Sequence, residues 1–297
     1  MIHLKRAFEK YLTKQDVNKL IINNINHQKQ LKKRIIVTIG GDQLTGKSSL
    51  AKKIIQLPSI HNKFKHTNIW STGKTMRVLA SEQNLTIGEF SNALASSETN
   101  LEQNNIDISI DYKTCSLIMN NESNNNKDDI EELELFILEG RQPAVMASFC
   151  QYLNENSITM PIFRIYLTCS IKEQAIRFFQ REIQDENTIK TVNKILLQEE
   201  EEDADDEENL MRIANKLLDN KDLFHNDHKD SIMKFYDNAK RDENDRNRFY
   251  KLYTKENYYK NLNFYDCIID TTNIIEKEKI KLCKDSFENW LFQNEYM

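Results

Sequence analysis

Short apolar runs alternate along the chain with longer helical stretches. Arg34-Ile35-Ile36-Val37-Thr38-Ile39, Leu133–Leu138, Ile162–Leu167 and Cys267–Ile269 are brief, apolar and flanked by polar residues. That pattern predicts strands buried on both faces of a parallel sheet. Ser48–Gln56, Gly88–Ala95, Ile171–Glu182 and Lys240–Tyr253 read as helices between them. Strands alternating with helices predict an α/β fold, a parallel β-sheet flanked by helices.

Three segments break this rhythm. The first 34 residues hold nine Lys or Arg against Glu9 and Asp16. They are read as a basic N-terminal extension over 1–33, in which Leu4–Leu20 forms a basic amphipathic helix. A mitochondrial presequence and a docking or surface helix both fit that pattern, although presequences are usually poor in acids. Asn120–Asp129 is Asn-rich and reads as a loop. Glu199–Glu208 carries nine acidic residues in ten positions, a block that repels itself and reads as a solvated or unstructured insertion or a dock for a basic partner.

Composition narrows the options. With 297 residues and 39% hydrophobic content, the chain can bury a core in one large domain, or one domain with an insert. A net charge of -5 argues against a dedicated nucleic-acid binder. No apolar run reaches the length of a membrane span, so a soluble protein, cytoplasmic or mitochondrial, is expected. Five scattered cysteines without a CxxC pair argue against zinc and dithiol redox chemistry and for reduced thiols inside a cell.

The strongest local signal is Gly41-Asp42-Gln43-Leu44-Thr45-Gly46-Lys47-Ser48, followed by Ser49, between a predicted strand and a predicted helix. In that context GxxxxGKS is a P-loop. Its backbone N–H groups and the helix N-terminus bind the phosphates of ATP or GTP. Lys47 bridges the β- and γ-phosphates, and the Ser48 hydroxyl coordinates Mg²⁺.

Downstream, Ser71-Thr-Gly-Lys-Thr-Met-Arg77, Ile106-Asp107-Ile-Ser-Ile-Asp111, Leu138-Glu-Gly-Arg141, Arg177 with Arg181-Glu182, Arg241-Asp-Glu-Asn-Asp245-Arg246-Asn-Arg248 and Tyr265-Asp-Cys-Ile-Ile-Asp-Thr-Thr follow in order. This succession resembles the cytidylate kinases, in particular the compact archaeal-type members, over roughly residues 34 to 290. The resemblance implies a P-loop nucleoside monophosphate kinase with a lid, ATP and Mg²⁺ as cofactors, and CMP or dCMP as acceptor. It implies that Arg77 and Arg141 clamp the acceptor phosphate, and that Asp107 and Asp111 lie near the acceptor sugar and base. Arg177, Arg181, Arg246 and Arg248 surround the transferring phosphoryl group, Lys47 acts with them, and Asp245 orients an arginine or the acceptor. Asp107 also fits a helix cap.

The pattern departs from the family at several points. Gln174 and Lys113 stand where Arg is usual, and Gln142 follows Arg141 where bacterial members carry Asp. The stretch from about Gln184 to Lys234 interrupts the lid. A second reading is therefore a kinase-derived, nucleotide-binding subunit with a structural role in a larger assembly, mitochondrial assemblies included. Its protein partners would meet the N-terminal extension and the acidic insertion.

Overall fold

The computed structural model describes residues 1–21, 33–96, 101–119, 133–154, 160–183, 185–196 and 206–296. The chain opens with two helices, α1 (Ile2–Tyr11) and α2 (Lys14–Lys19), where one was expected. Thr13 separates them: its hydroxyl accepts from the Asp16 backbone N–H at 3.1 Å, while the Asp16 carboxylate accepts from the Thr13 N–H at 3.4 Å. This reciprocal capping box starts a new helix.

Next come β1 (Arg34–Gly41), α3 (Lys47–Ile55), α4 (Pro58–Lys63), β2 (His66–Ser71), α5 (Thr72–Glu82), α6 (Ile87–Ser96) and α7 (Leu101–Met119). They are followed by β3 (Glu134–Glu139), α8 (Pro143–Leu153), β4 (Ile162–Thr168), α9 (Ile171–Glu182), α10 (Glu186–Leu196) and α11 (Asp206–Asp219). The chain ends with α12 (Lys229–Tyr253), β5 (Cys267–Asp270) and α13 (Glu276–Gln293).

The strands form one all-parallel sheet in the order β2-β3-β1-β4-β5. Alternate side chains of a strand serve opposite faces, and both faces are covered. Ile35, Val37 and Ile39 pack with Leu50 and Ile54 of α3 and Phe287 and Leu291 of α13. Ile36, Phe136 and Tyr166 pack on the other side with Ile118 of α7 and Phe149 of α8. Three of the four apolar runs of the sequence are strands so enclosed, β1, β3 and β4; the fourth, β5, is an edge strand in which only Ile269 is buried. β2 was not expected: it is the other edge of the sheet, and its His66-Thr-Asn-Ile-Trp-Ser71 carries no buried residue.

The described part of the basic N-terminal segment, residues 1–21, is built into the core. Leu4, Phe8, Val17 and Leu20 are buried with the α7–α8 side of the sheet. The Phe8 ring lies 5.1 Å from Phe149 and 6.5 Å from Tyr253. Phe8→Ala should lower unfolding free energy by about 3 kcal/mol; a denaturation midpoint equal to wild type would show this packing to be dispensable.

The described residues of the stretch interrupting the predicted lid are largely helical. Val192, Ile195 and Leu196 of α10 and Leu210, Ile213 and Leu217 of α11 form one apolar cluster with Phe178 and Phe179 of α9 and Phe235 of α12. Asn120–Asp129 and residues 199–205 of the acidic run lie outside the described residues; 206–208 form the first turn of α11. The five cysteines are unpaired. No helix among the described residues is long and apolar enough to cross a membrane.

Candidate functional site

β1 and β3 are neighbours in the sheet but not in sequence, so chain connections leave their carboxyl ends in opposite directions. Such a point in a parallel sheet leaves a crevice open to ligands. The turn after β1 demands glycine at two places. Gly41 has φ 140° and Gly46 φ 87°, values disfavoured for any residue with a Cβ. A Cβ on Gly41 would collide with the Leu167 carbonyl of β4, and one on Gly46 with Lys279 Nζ.

Side chains brace the outside of this turn. Arg177 donates to the Leu44 carbonyl at 3.2 Å and to Thr271 Oγ1 at 3.1 Å, and pairs with Glu173 at 2.8 Å. Thr45 Oγ1 donates to the Asp42 carbonyl at 2.9 Å, and Tyr259 O–H donates to the Asp42 carboxylate at 2.6 Å. Lys47 Nζ also reaches the Asp42 carbonyl. Burial pushes the Lys47 amine down to about 8, against the pull of Asp42.

A cavity of about 320 Å³ opens at this turn. On one side Gln43, Leu44, Gly46, Lys47, Ser48 and Ser49 line it, at the N-terminus of α3, where helix N–H groups and dipole favour anions. On the other side stand Arg77 of α5, Asp107 and Asp111 of α7, the β3–α8 turn with Glu139, Gly140, Arg141 and Gln142, and Arg241, Asp245, Arg248 and Phe249 of α12. Arg181 of α9 also lines it.

The second side is a chain of buried ion pairs. Arg141 bridges Asp242 and Asp245. Arg248 reaches Asp245 at 2.7 Å and Asp107 at 3.0 Å. Arg241 Nε lies 3.7 Å from Asp245, with no hydrogen-bond partner of its own. Gln43 links this network to the glycine turn by donating to Asp242 at 2.6 Å. Tyr253 O–H donates to Asp111 at 2.8 Å.

The acids respond to their neighbours. Burial pushes Asp245 up, but Arg141, Arg248 and Arg241 together outweigh it and hold the carboxyl down at about 2. Asp242 has one close guanidinium and an amide, and there burial wins and raises it. Burial also raises Asp107 despite Arg248, and raises Asp111 well above the ordinary carboxylate range despite Tyr253.

Most of the residues singled out in the sequence therefore meet at one cavity. Gly41, Asp42, Thr45, Arg177 and Arg246 do not line it: the first three shape the turn, and Arg177 braces it from outside. Asp107 lies inside α7 and is no helix cap. Glu139, Asp242, Arg241 and Gln142 belong to the site but were not chosen from the sequence. Glu139 had a usable signal, its place at the carboxyl end of a predicted strand. Its carboxylate accepts a hydrogen bond from the Ser48 hydroxyl at 2.9 Å. Among the described residues no group of three or more His, Cys, Asp or Glu side chains stands ready for a metal. The Ser48–Glu139 pair supplies only oxygen donors, the set a hard divalent cation prefers.

No family model matches the chain, and no curated protein matches it. Among solved structures it is similar to an uncharacterized protein from Eubacterium ventriosum, 13% identical over 86% of this chain and 98% of that chain, with a TM-score of 0.37. A likeness that loose carries no argument about family or activity.

Proposed function

We propose that the chain is a P-loop kinase that transfers the γ-phosphoryl group of ATP to a nucleoside monophosphate, with CMP or dCMP favoured by its resemblance to the cytidylate kinases. The observation that carries this reading is the two-sided cavity: the Gly41–Ser48 turn faces a wall rich in arginine across one shared space. Phosphoryl transfer asks for positioning and charge rather than covalent chemistry, and such a cavity supplies both.

Lys47 meets the β- and γ-phosphates as a compact cation. An amine held at about 8 is mostly protonated at neutral pH, and bound phosphate favours the charged form further. Ser48 and Glu139 fit Mg²⁺, which neutralises phosphate charge as it develops. Arg141 presents a planar fork that matches two phosphate oxygens, and Asp242 and Asp245 hold that fork in place beforehand. Arg241, Arg248 and Arg77 add positive charge on the acceptor side. Arg181, more than half exposed, stands on α9 at the cavity mouth, where a lid would deliver it on closure.

A second reading, a nucleotide-binding subunit without turnover, is favoured by one observation. Arg177, expected beside the transferring group, is instead spent on Leu44, Thr271 and Glu173. ADP formation from Mg-ATP with CMP, dCMP, UMP, AMP and GMP as separate acceptors separates the two. Turnover supports the kinase; ATP binding with no turnover on any acceptor overturns it. Within the kinase reading, Arg141→Lys keeps the charge but loses the fork. It should raise KM for the monophosphate about tenfold or more while leaving KM for ATP nearly unchanged. Equal losses for both substrates would contradict a dedicated acceptor clamp.

A further inference from the structure

Lys279, in the first turn of α13, stands over the glycine turn. A Cβ on Gly46 would meet its Nζ, with its Cε 3.7 Å away. The residue is 8% exposed, and among the described residues no hydrogen bond or ion pair holds its ammonium. Glu276, exposed and one helical turn earlier, accepts from the Ser49 hydroxyl instead. Burial pushes the Lys279 amine down against the pull of Glu276, and the Arg177 guanidinium pushes it further. Lysine is almost never buried without a partner, because the charge loses its water. α13 thus carries a cation that costs the fold stability, and sets it against a residue that lines the cavity.

We infer that Lys279 grips the α-phosphate of the bound nucleoside triphosphate, so that α13 holds the nucleotide together with the glycine turn. The inference rests on the nucleotide-binding half of the reading above and adds a residue outside the P-loop motif. In a P-loop the backbone N–H groups cradle the α- and β-phosphates, while the lysine of the motif reaches the β and γ groups. Lys47 therefore leaves the α-phosphate, where the triphosphate joins its nucleoside, without a cation of its own. Gly46, Ser48 and Ser49 line the cavity, and α13 reaches this stretch twice, through Lys279 over Gly46 and Glu276 on Ser49. The lysine stem is flexible, and glycine at 46 puts no side chain between the ammonium and the cavity. An anionic oxygen there would give the buried ammonium the charged partner that the protein itself does not supply.

The test measures dissociation constants by calorimetry for Mg-ATP, inorganic pyrophosphate and CMP, in wild type and in Lys279→Met. Pyrophosphate offers the β–γ pair without an α-phosphate. Lys279→Met should weaken Mg-ATP by about tenfold to a hundredfold, the loss expected for one charge-assisted hydrogen bond. It should leave pyrophosphate and CMP binding unchanged. Without ligand the variant should unfold no sooner than wild type, because a buried, unpaired charge has been removed. Lys279→Gln replaces the methionine variant if thermal unfolding shows the latter to be damaged. The inference is overturned if the variant binds Mg-ATP as wild type does. It is also overturned if pyrophosphate weakens as much as ATP, which would put the ammonium at the β–γ pair, or if wild type binds no ATP. ATP binding without turnover on any acceptor sinks the kinase reading alone, because the dissociation constants still decide on Lys279.

Discussion

Lys47→Ala lowers the rate of ADP formation by about a hundredfold to a thousandfold, the scale seen when one preorganised donor is removed from a transition state. The expectation comes from where the ammonium sits. It is folded against the Asp42 carbonyl at the base of the glycine turn, on the cavity wall, with its pKa pushed to about 8 by burial. A cation held against its own preference for water does not stabilise the fold there, so the variant should unfold at the same temperature as wild type or slightly higher. A coupled assay reads the rate and thermal unfolding reads the fold. An unchanged rate in a folded variant removes Lys47 from the chemistry.

Asp245→Asn lowers stability by about 4 kcal/mol, because removing one partner of a buried ion pair leaves uncompensated charge. At Asp245 the loss would reach several partners at once. One carboxylate serves Arg141, Arg248 and, more distantly, Arg241. For a chain of this size the thermal midpoint should fall by about ten degrees. The pH dependence supplies a second readout. Folding lowers the Asp245 pKa from 3.8 to about 2, so its contribution is complete above the unfolded value and is lost as pH falls toward the folded one. That contribution is about 2 kcal/mol, and the part of the acid slope between about pH 4 and 2 should vanish in the variant. An Asp245→Asn protein as stable as wild type would mean the three guanidinium groups find other partners.

The legible parts of the fold were those where one local rule acts alone. The run Ile35–Ile39 is enclosed on both faces, so it is apolar but for Thr38, and the glycines after it mark a turn that disfavours any residue with a Cβ. His66–Ser71 obeys no such rule. As an edge strand it needs only backbone partners on one side, and its exposed side chains carry no period to detect. At the site, arginines were easy to suspect but hard to assign. Arg177 and Arg241 both occur on helices in suggestive company, yet one braces the turn from behind and the other faces the cavity. The difference lies in how α9 and α12 are rotated about their axes, which long-range packing decides. Gln142 was visible only as a departure from a pattern. Its buried, unpartnered amide is a property of the folded wall.

α12 runs unbroken over 25 residues, about 37 Å at the helical rise. Its first half packs Ile232, Phe235 and Ala239 against the helical stretch of α10 and α11. Its second half carries Arg241, Asp242, Asp245 and Arg248 into the ion-pair network and ends with Tyr253 against Phe8. A rod fixed at both ends has little freedom to yield in the middle. Mutational drift in the inserted helices is therefore not neutral for the cavity: a residue that tilts or slides α12 displaces four charged groups together. The insert and the site are bound to evolve as one mechanical unit, and compensating changes should be sought along this helix rather than across the cavity.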